Sequence, residues 1–203
     1  VGAQATPHEP AYPTKVLPRF VKLLQGRDNP ALLDLGPVVG SNVTFFGEQL
    51  GCRLRVEDLA ADLERHAREG RLEELPSFLR SRFHQEPESI DGILCWDLFD
   101  FLDRPSAQAL ADALKTLLKP DGVLLGFFGA TEGRAQVYTK FVVVDENTLR
   151  YRSYPATRGR QKPLQNRDVD RMFEGLRVTE SFLMKNNVRE ILLRKPAYLR
   201  PLP

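Results

Sequence analysis

The sequence predicts an α/β fold, a mostly parallel sheet with helices on both faces and an antiparallel hairpin near its C-terminal end. Three observations predict it. Short strands at residues 31–35, 54–57, 90–96 and 123–128 alternate with stretches of helical spacing. The run 123–128 is apolar throughout, as a strand covered on both faces should be. After Phe128 the alternation gives way to two strand pairs, each joined by a short polar turn.

The elements follow in order. Residues 1–13 contain Pro7, Pro10 and Pro13 without a periodic pattern and read as an extended arm, leaving 14–203 as one domain. Val16, Leu17, Phe20, Val21 and Leu24 keep helical spacing up to Gly26, with Thr14 as N-cap. After the first strand, Ser41 caps a helix that runs through Leu50 and closes at Gly51. The second strand ends in an acid, Glu57. Two helices follow, at 59–69 and 72–83, separated by Gly70. Between Glu57 and Ile90 there is no pattern for a regular third strand. The strand Ile90–Trp96 leads to a helix over 105–118 with Pro105 in its first turn. Lys119-Pro120-Asp121-Gly122 is a turn signature. Residues 137–144 and 148–154 make an inserted hairpin, spanning 137–154. A helix near 168–173 precedes the last hairpin, 177–184 and 188–194, which turns at Asn186-Asn187.

Composition narrows the function classes. The 203 residues are 42% hydrophobic and 28% charged, ordinary for a globular protein. No apolar run approaches the roughly 20 residues of a membrane helix, so no membrane partner is expected. The N-terminal stretch lacks the basic start and apolar middle of a signal peptide. The missing initiator Met fits a processed or trimmed form. Cys52 and Cys95 form no CxxC pair, which points to the cytoplasm, and Cys95 reads as a small buried hydrophobe. His8, His66 and His84 are scattered, so no metal site is expected. Residues 1–133 carry 14 Lys and Arg against 20 Asp and Glu, while 134–203 carry 15 against 7. The basic run Arg150, Arg152, Arg158, Arg160, Lys162 and Arg167 suits an exposed hairpin edge better than a nucleic-acid track, because the rest of the chain is acidic.

The informative segment is Leu32-Leu33-Asp34-Leu35-Gly36-Pro37-Val38-Val39-Gly40-Ser41. A strand enters a Gly-containing turn that opens a helix, where backbone can approach a ligand and unpaired N–H groups face it. Glu57 closes the next strand at the same crevice, where a carboxylate can accept both hydroxyls of a ribose diol.

This pattern resembles the class I S-adenosylmethionine-dependent methyltransferases over about residues 30–130, and more loosely over 168–195. The acid-x-Gly-x-Gly-x-Gly loop is matched by Asp34 to Gly40, with Val38 in place of the middle glycine. Glu57 matches the acid of the second strand. Asp97-Leu98-Phe99-Asp100-Phe101-Leu102 stands where the family has Asp-Val-Leu-Glu-His-Leu, with Phe101 replacing the histidine. Leu118-Lys119-Pro120-Asp121-Gly122 matches the turn before the fifth strand. The resemblance implies a Rossmann-like sheet with one reversed strand, S-adenosylmethionine as cofactor, and methyl transfer. It implies that Gly36 and Gly40 bring backbone near the methionine portion, that Asp34 orients the loop and the amino group, and that Glu57 binds the ribose. It implies Asp97 and the backbone around Trp96 at the cofactor's amino-acid end, and Asp58 as an adenine partner. Trp96 reads equally as an acceptor-pocket wall or a core residue. A base, where one is needed, would be Asp100, His84 or Tyr138. The acceptor is expected to be a small molecule, lidded by the hairpin 137–154 and the arm. A nucleic-acid acceptor and a non-catalytic domain of this kind are the alternatives.

Overall fold

The computed structural model describes residues 9–132 and 136–197. Residues 1–8 of the expected arm, His8 among them, lie outside the described residues. In chain order the elements are β1 (Ala11–Pro13), α1 (Leu17–Gln25), β2 (Ala31–Asp34), α2 (Gly40–Asn42) and a π-helical continuation (Val43–Gln49). Then come β3 (Arg53–Val56), α3 (Leu59–Arg68), α4 (Leu75–Ser81), β4 (Ile90–Trp96), a 3-10 turn (Leu98–Phe101), α5 (Arg104–Leu117) and β5 (Leu118–Gly129). The rest is β6 (Val137–Asp145), β7 (Thr148–Pro155), α6 (Asn166–Met172), β8 (Arg177–Leu183) and β9 (Val188–Arg194).

The main sheet has the order β3-β2-β4-β5-β9-β8. β2, β3, β4 and β5 are parallel, and β9 runs antiparallel to both β5 and β8. The expected terminal hairpin is therefore present, and the sheet ends at β3 with no strand beyond it among the described residues. A second sheet, β1-β7-β6, joins the last residues of the arm to the inserted hairpin.

Period-two alternation sorts the strand side chains onto two faces. Leu33, Ile93, Leu124 and Ile191 meet α3, α4, α5 and α6 on one side. Leu32, Leu94, Leu125 and Leu192 meet α1, the π-helical segment and the second sheet on the other. Asp34 and Trp96 point to this second face, in step with Leu32 and Leu94. Asn42 ties α2 to the second sheet. Its amide donates to the Phe141 carbonyl at 2.8 Å and its oxygen accepts from Val143 N–H at 2.8 Å.

Three local expectations need correction. Thr14 lies two residues before the helix boundary, which falls at Val16, yet its Oγ1 accepts from Leu17 N–H, the first amide of α1, at 3.3 Å. Glu190 fixes the segment just before the helix: its Oε2 accepts from Thr14 Oγ1, Lys15 N–H and Val16 N–H at 2.8–2.9 Å. α2 starts at Gly40 after Val39, so Ser41 lies inside the helix and caps nothing. Residues 119–122 do not end at a turn before a new strand: they bulge out of one long strand, because Leu118 pairs with Ile90 and Val123 with Gly92. Asp121 supplies the positive φ that this bulge requires. Among the described residues no helix is long and apolar enough to cross a membrane, and no metal-binding cluster occurs.

Candidate functional site

The C-terminal ends of β2, β3 and β4 meet at one edge of the sheet. Glu57 N–H donates to the Asp34 carbonyl at 2.8 Å, and Leu35 N–H donates to the Leu94 carbonyl at 2.9 Å. These ladder bonds carry Gly36, Glu57 and Asp97 to a single crevice, the place where open α/β sheets bind ligands.

Asp34 sits on the floor of that crevice, 2% exposed. Its Oδ1 accepts from Gly36 N–H at 2.9 Å and from the Trp96 indole N–H at 2.6 Å. Burial pushes its carboxyl up to about 6, against the pull of those two donors. The indole of Trp96 stands against Gly36, where a Cβ would lie 2.8 Å from Cδ1 and 2.9 Å from Nε1. Phe141 of β6 stacks on that indole at 5.2 Å with rings 6° apart, and Phe127 meets its edge. Gly40 lies in open space and Val38 is 67% exposed.

Glu57 is at the crevice rim but engaged. Oε1 pairs with Arg55 at 2.7 Å and Oε2 with Arg82 at 2.8 Å. Burial works to raise its carboxyl, and the two arginines outweigh it and hold the group below the ordinary range. Asp58 caps α3, with Oδ1 accepting from Ala61 N–H at 3.0 Å.

A strap after β7 crosses the crevice mouth. At one end Thr157 donates through N–H and Oγ1 to Glu64 on α3. At the other, Arg160 donates to Asp97 at 2.7 Å and to Asp100 at 2.8 Å. Burial raises Asp97 to about 7 and Asp100 to about 6, with Arg160 pulling both back down. Asp100 also accepts from Gly129 N–H. Of the base candidates, Asp100 is thus tied down, Tyr138 is held protonated by burial, and His84 is exposed away from the residues lining the crevice.

Arg160, Phe141, Asn42 and Arg82 are the residues that sequence reasoning missed. One signal pointed to Arg160: two acids three positions apart in an apolar run demand a buried cation. The other three carry no local signal, since each acts through a partner distant in sequence.

The space left is small. A cavity of about 20 Å³ remains among Gly36, Trp96, Asp97, Phe101, Tyr138 and Tyr154. That is room for about one water, against the ~300–1,000 Å³ of ordinary ligand pockets. A larger hollow, about 810 Å³, lies at the opposite end of the sheet among Asp121, Arg177, Arg194 and Lys195. The acids and glycines suit the cofactor implied by the resemblance; the inner end of the crevice beside Gly36 is filled, while Val38 and Gly40 stand open.

No family model and no curated protein matches the chain. Solved structures do. One is the 1,6-didemethyltoxoflavin-N1-methyltransferase of Burkholderia thailandensis, with 1,6-didemethyltoxoflavin and S-adenosylhomocysteine bound: 16% identity, TM-score 0.52, 89% of this chain and 76% of that one. Another is the glycopeptide N-methyltransferase MtfA with S-adenosylmethionine: 14% identity, TM-score 0.50, 96% and 100%. A third is the [4+2]-cyclase SpnF: 11% identity, TM-score 0.52, 89% and 82%. At such identities the likeness is one of fold, and the chain has the Rossmann-like fold of the class I S-adenosylmethionine-dependent methyltransferases.

Proposed function

We propose that this chain is an S-adenosylmethionine-dependent methyltransferase acting on a small-molecule acceptor. The observation that carries this reading is the convergence of Asp34, Gly36, Glu57 and Asp97 on one crevice at the ends of three parallel strands. On this reading Asp34, Gly36 and Gly40 meet the cofactor's amino-acid end, beside Trp96 and Asp97, while Glu57 takes the ribose and Asp58 the adenine. Asp34, Glu57, Asp58 and Asp97 now hold partners within the protein, while Gly40 stands open. The aromatic residues Tyr138, Phe141 and Tyr154 of the inserted hairpin are the acceptor-side wall. This hairpin shares both cores with the main sheet, which supports residues 14–203 as one domain. Two buried, unpaired cysteines support a reducing compartment such as the cytoplasm. A nucleic-acid acceptor is disfavoured, because Arg160 of the basic run is turned inward onto Asp97 and Asp100, and Arg152 pairs with Glu9 at the surface.

A second reading has its own support. The filled crevice and the doubly paired Glu57 favour a non-catalytic domain on the same fold, and fold alone does not decide chemistry. Calorimetry separates the two. The methyltransferase reading expects saturable, mutually competitive binding of S-adenosylmethionine and S-adenosylhomocysteine, and none of NAD. Folded protein that binds neither, in wild type and in the opened variants described next, leaves the non-catalytic reading.

A further inference from the structure

We propose that Trp96 is an internal occupant of the cofactor crevice, and that the crevice admits ligand only when this indole leaves Asp34. The proposal rests on the cofactor reading above and deepens it.

Trp96 ends β4 at φ +49°, a backbone region that residues with a Cβ seldom adopt. Such a conformation persists only where the surroundings hold it. Here they do so from three sides. Asp34 accepts the indole N–H at 2.6 Å, Phe141 stacks on the ring, and Phe127 packs its edge. The unusual backbone is what turns the indole across Gly36 and into the crevice.

The contacts made there are those a ligand would need. The cofactor reading assigns the Asp34 carboxylate to an N–H donor on the ligand, and the Gly36 surface to close approach of ligand atoms. Trp96 already supplies the first and covers the second. Its 4% exposure shows how fully it is seated. Ligand and indole therefore compete for one oxygen and one surface. Apparent affinity falls by the fraction of molecules in which the indole is out.

Trp96 is the sole tryptophan of the chain, so its emission reports on the crevice directly. The experiment titrates S-adenosylhomocysteine into wild type, Trp96→Gly, Trp96→Phe and Phe141→Ala, each first shown to be folded by circular dichroism and melting. Glycine suits the positive φ. Phenylalanine keeps a stacking ring and loses the N–H. Phe141→Ala keeps the indole and removes its stacking partner. In wild type, saturation is expected to shift tryptophan emission to the red and to raise acrylamide quenching. Trp96→Gly is expected to bind at least ~tenfold tighter than wild type by calorimetry, with Trp96→Phe between them. Phe141→Ala is expected to raise quenching before any ligand is added. If the folded Trp96 variants bind no tighter, or if ligand saturates wild type with emission unchanged, the internal occupant is refuted while the cofactor reading stands. If no folded variant binds at all, both fall.

Discussion

The guanidinium of Arg160 donates to Asp97 Oδ2 at 2.7 Å from a position 63 residues later in the chain. Its other nitrogen holds Asp100, so one cation secures the strap against two buried acids. Removing it leaves Asp97 inside without its counter-charge, and Asp100 with only the field of Arg189 and the Gly129 amide. Breaking a buried pair in this way costs about 3–5 kcal/mol when the partner stays ionised. Because burial already raises Asp97 to about 7, the orphaned acids take up protons in mild acid and the loss shrinks. Arg160→Ala should therefore cost far more at pH 8 than at pH 5.5 in urea denaturation. An equal loss at both would show that Arg160 acts by packing alone.

The wild-type stability profile follows from the same groups. Asp34, Asp97 and Asp100 all have folded values above the ordinary aspartate value, at about 6, 7 and 6. The native state then binds more protons through this window, so their contribution is complete below about pH 4 and is lost as pH rises to about 7. Glu57 and Asp91 act oppositely. Burial works upward on both, but their basic partners outweigh it, and their contribution is lost in acid. The urea midpoint should peak near pH 5 and decline toward pH 7.5, and Asp97→Asn should flatten that decline. A midpoint climbing steadily from pH 5 to 8 contradicts this.

The two loop glycines should respond differently to a methyl group. At Gly36 a Cβ would lie 2.8 Å from the Trp96 ring, and overpacking of this kind costs about 1–3 kcal/mol. At Gly40 nothing stands within 4 Å. Gly40→Ala should leave the melting temperature unchanged or slightly raised. If it nevertheless weakens S-adenosylhomocysteine binding, the ligand approaches backbone there. A large stability loss at Gly40 would mean the loop is packed more closely than described.

Glu190 offers a prediction about the scaffold. It is fully buried, and its Oε2 takes three donors from the entry to α1. Hydrogen bonds to a charged acceptor contribute ~1.5–3 kcal/mol each, and less than additively when shared. Glu190→Ala should cost about 3–5 kcal/mol. Glu190→Gln, which keeps one acceptor oxygen, should cost clearly less. Equal losses would place the effect in volume rather than in these hydrogen bonds.

Strand positions were legible because apolar runs and their alternation are local properties. Ile90–Trp96 was readable to the residue, and the missing third strand appeared as a gap before Ile90. Helix starts were less legible. Ser41 looked like a cap on residue type and is not one, and Thr14 does meet the first amide of α1, but the carboxylate that holds Thr14 in place lies 176 positions away. The crevice divides in the same way. Its acids and glycines sit at strand ends and could be placed from spacing. What fills it depends on the φ of Trp96, on Phe141 arriving from another sheet, and on Arg160 folding inward out of a run of cations, and none of these is a local property.

The lead-in to α1 also sets a timetable. Thr14 leaves the ribosome 176 residues before Glu190, at roughly 5–20 residues per second. For roughly ten seconds or more, the Thr14 hydroxyl and the Lys15 and Val16 amides that lead into the first helix lack their native acceptor. The helix is short, nine residues, and too brief to hold itself together in water. Until β9 has been synthesised and has slotted in beside β5, that lead-in has no native anchor.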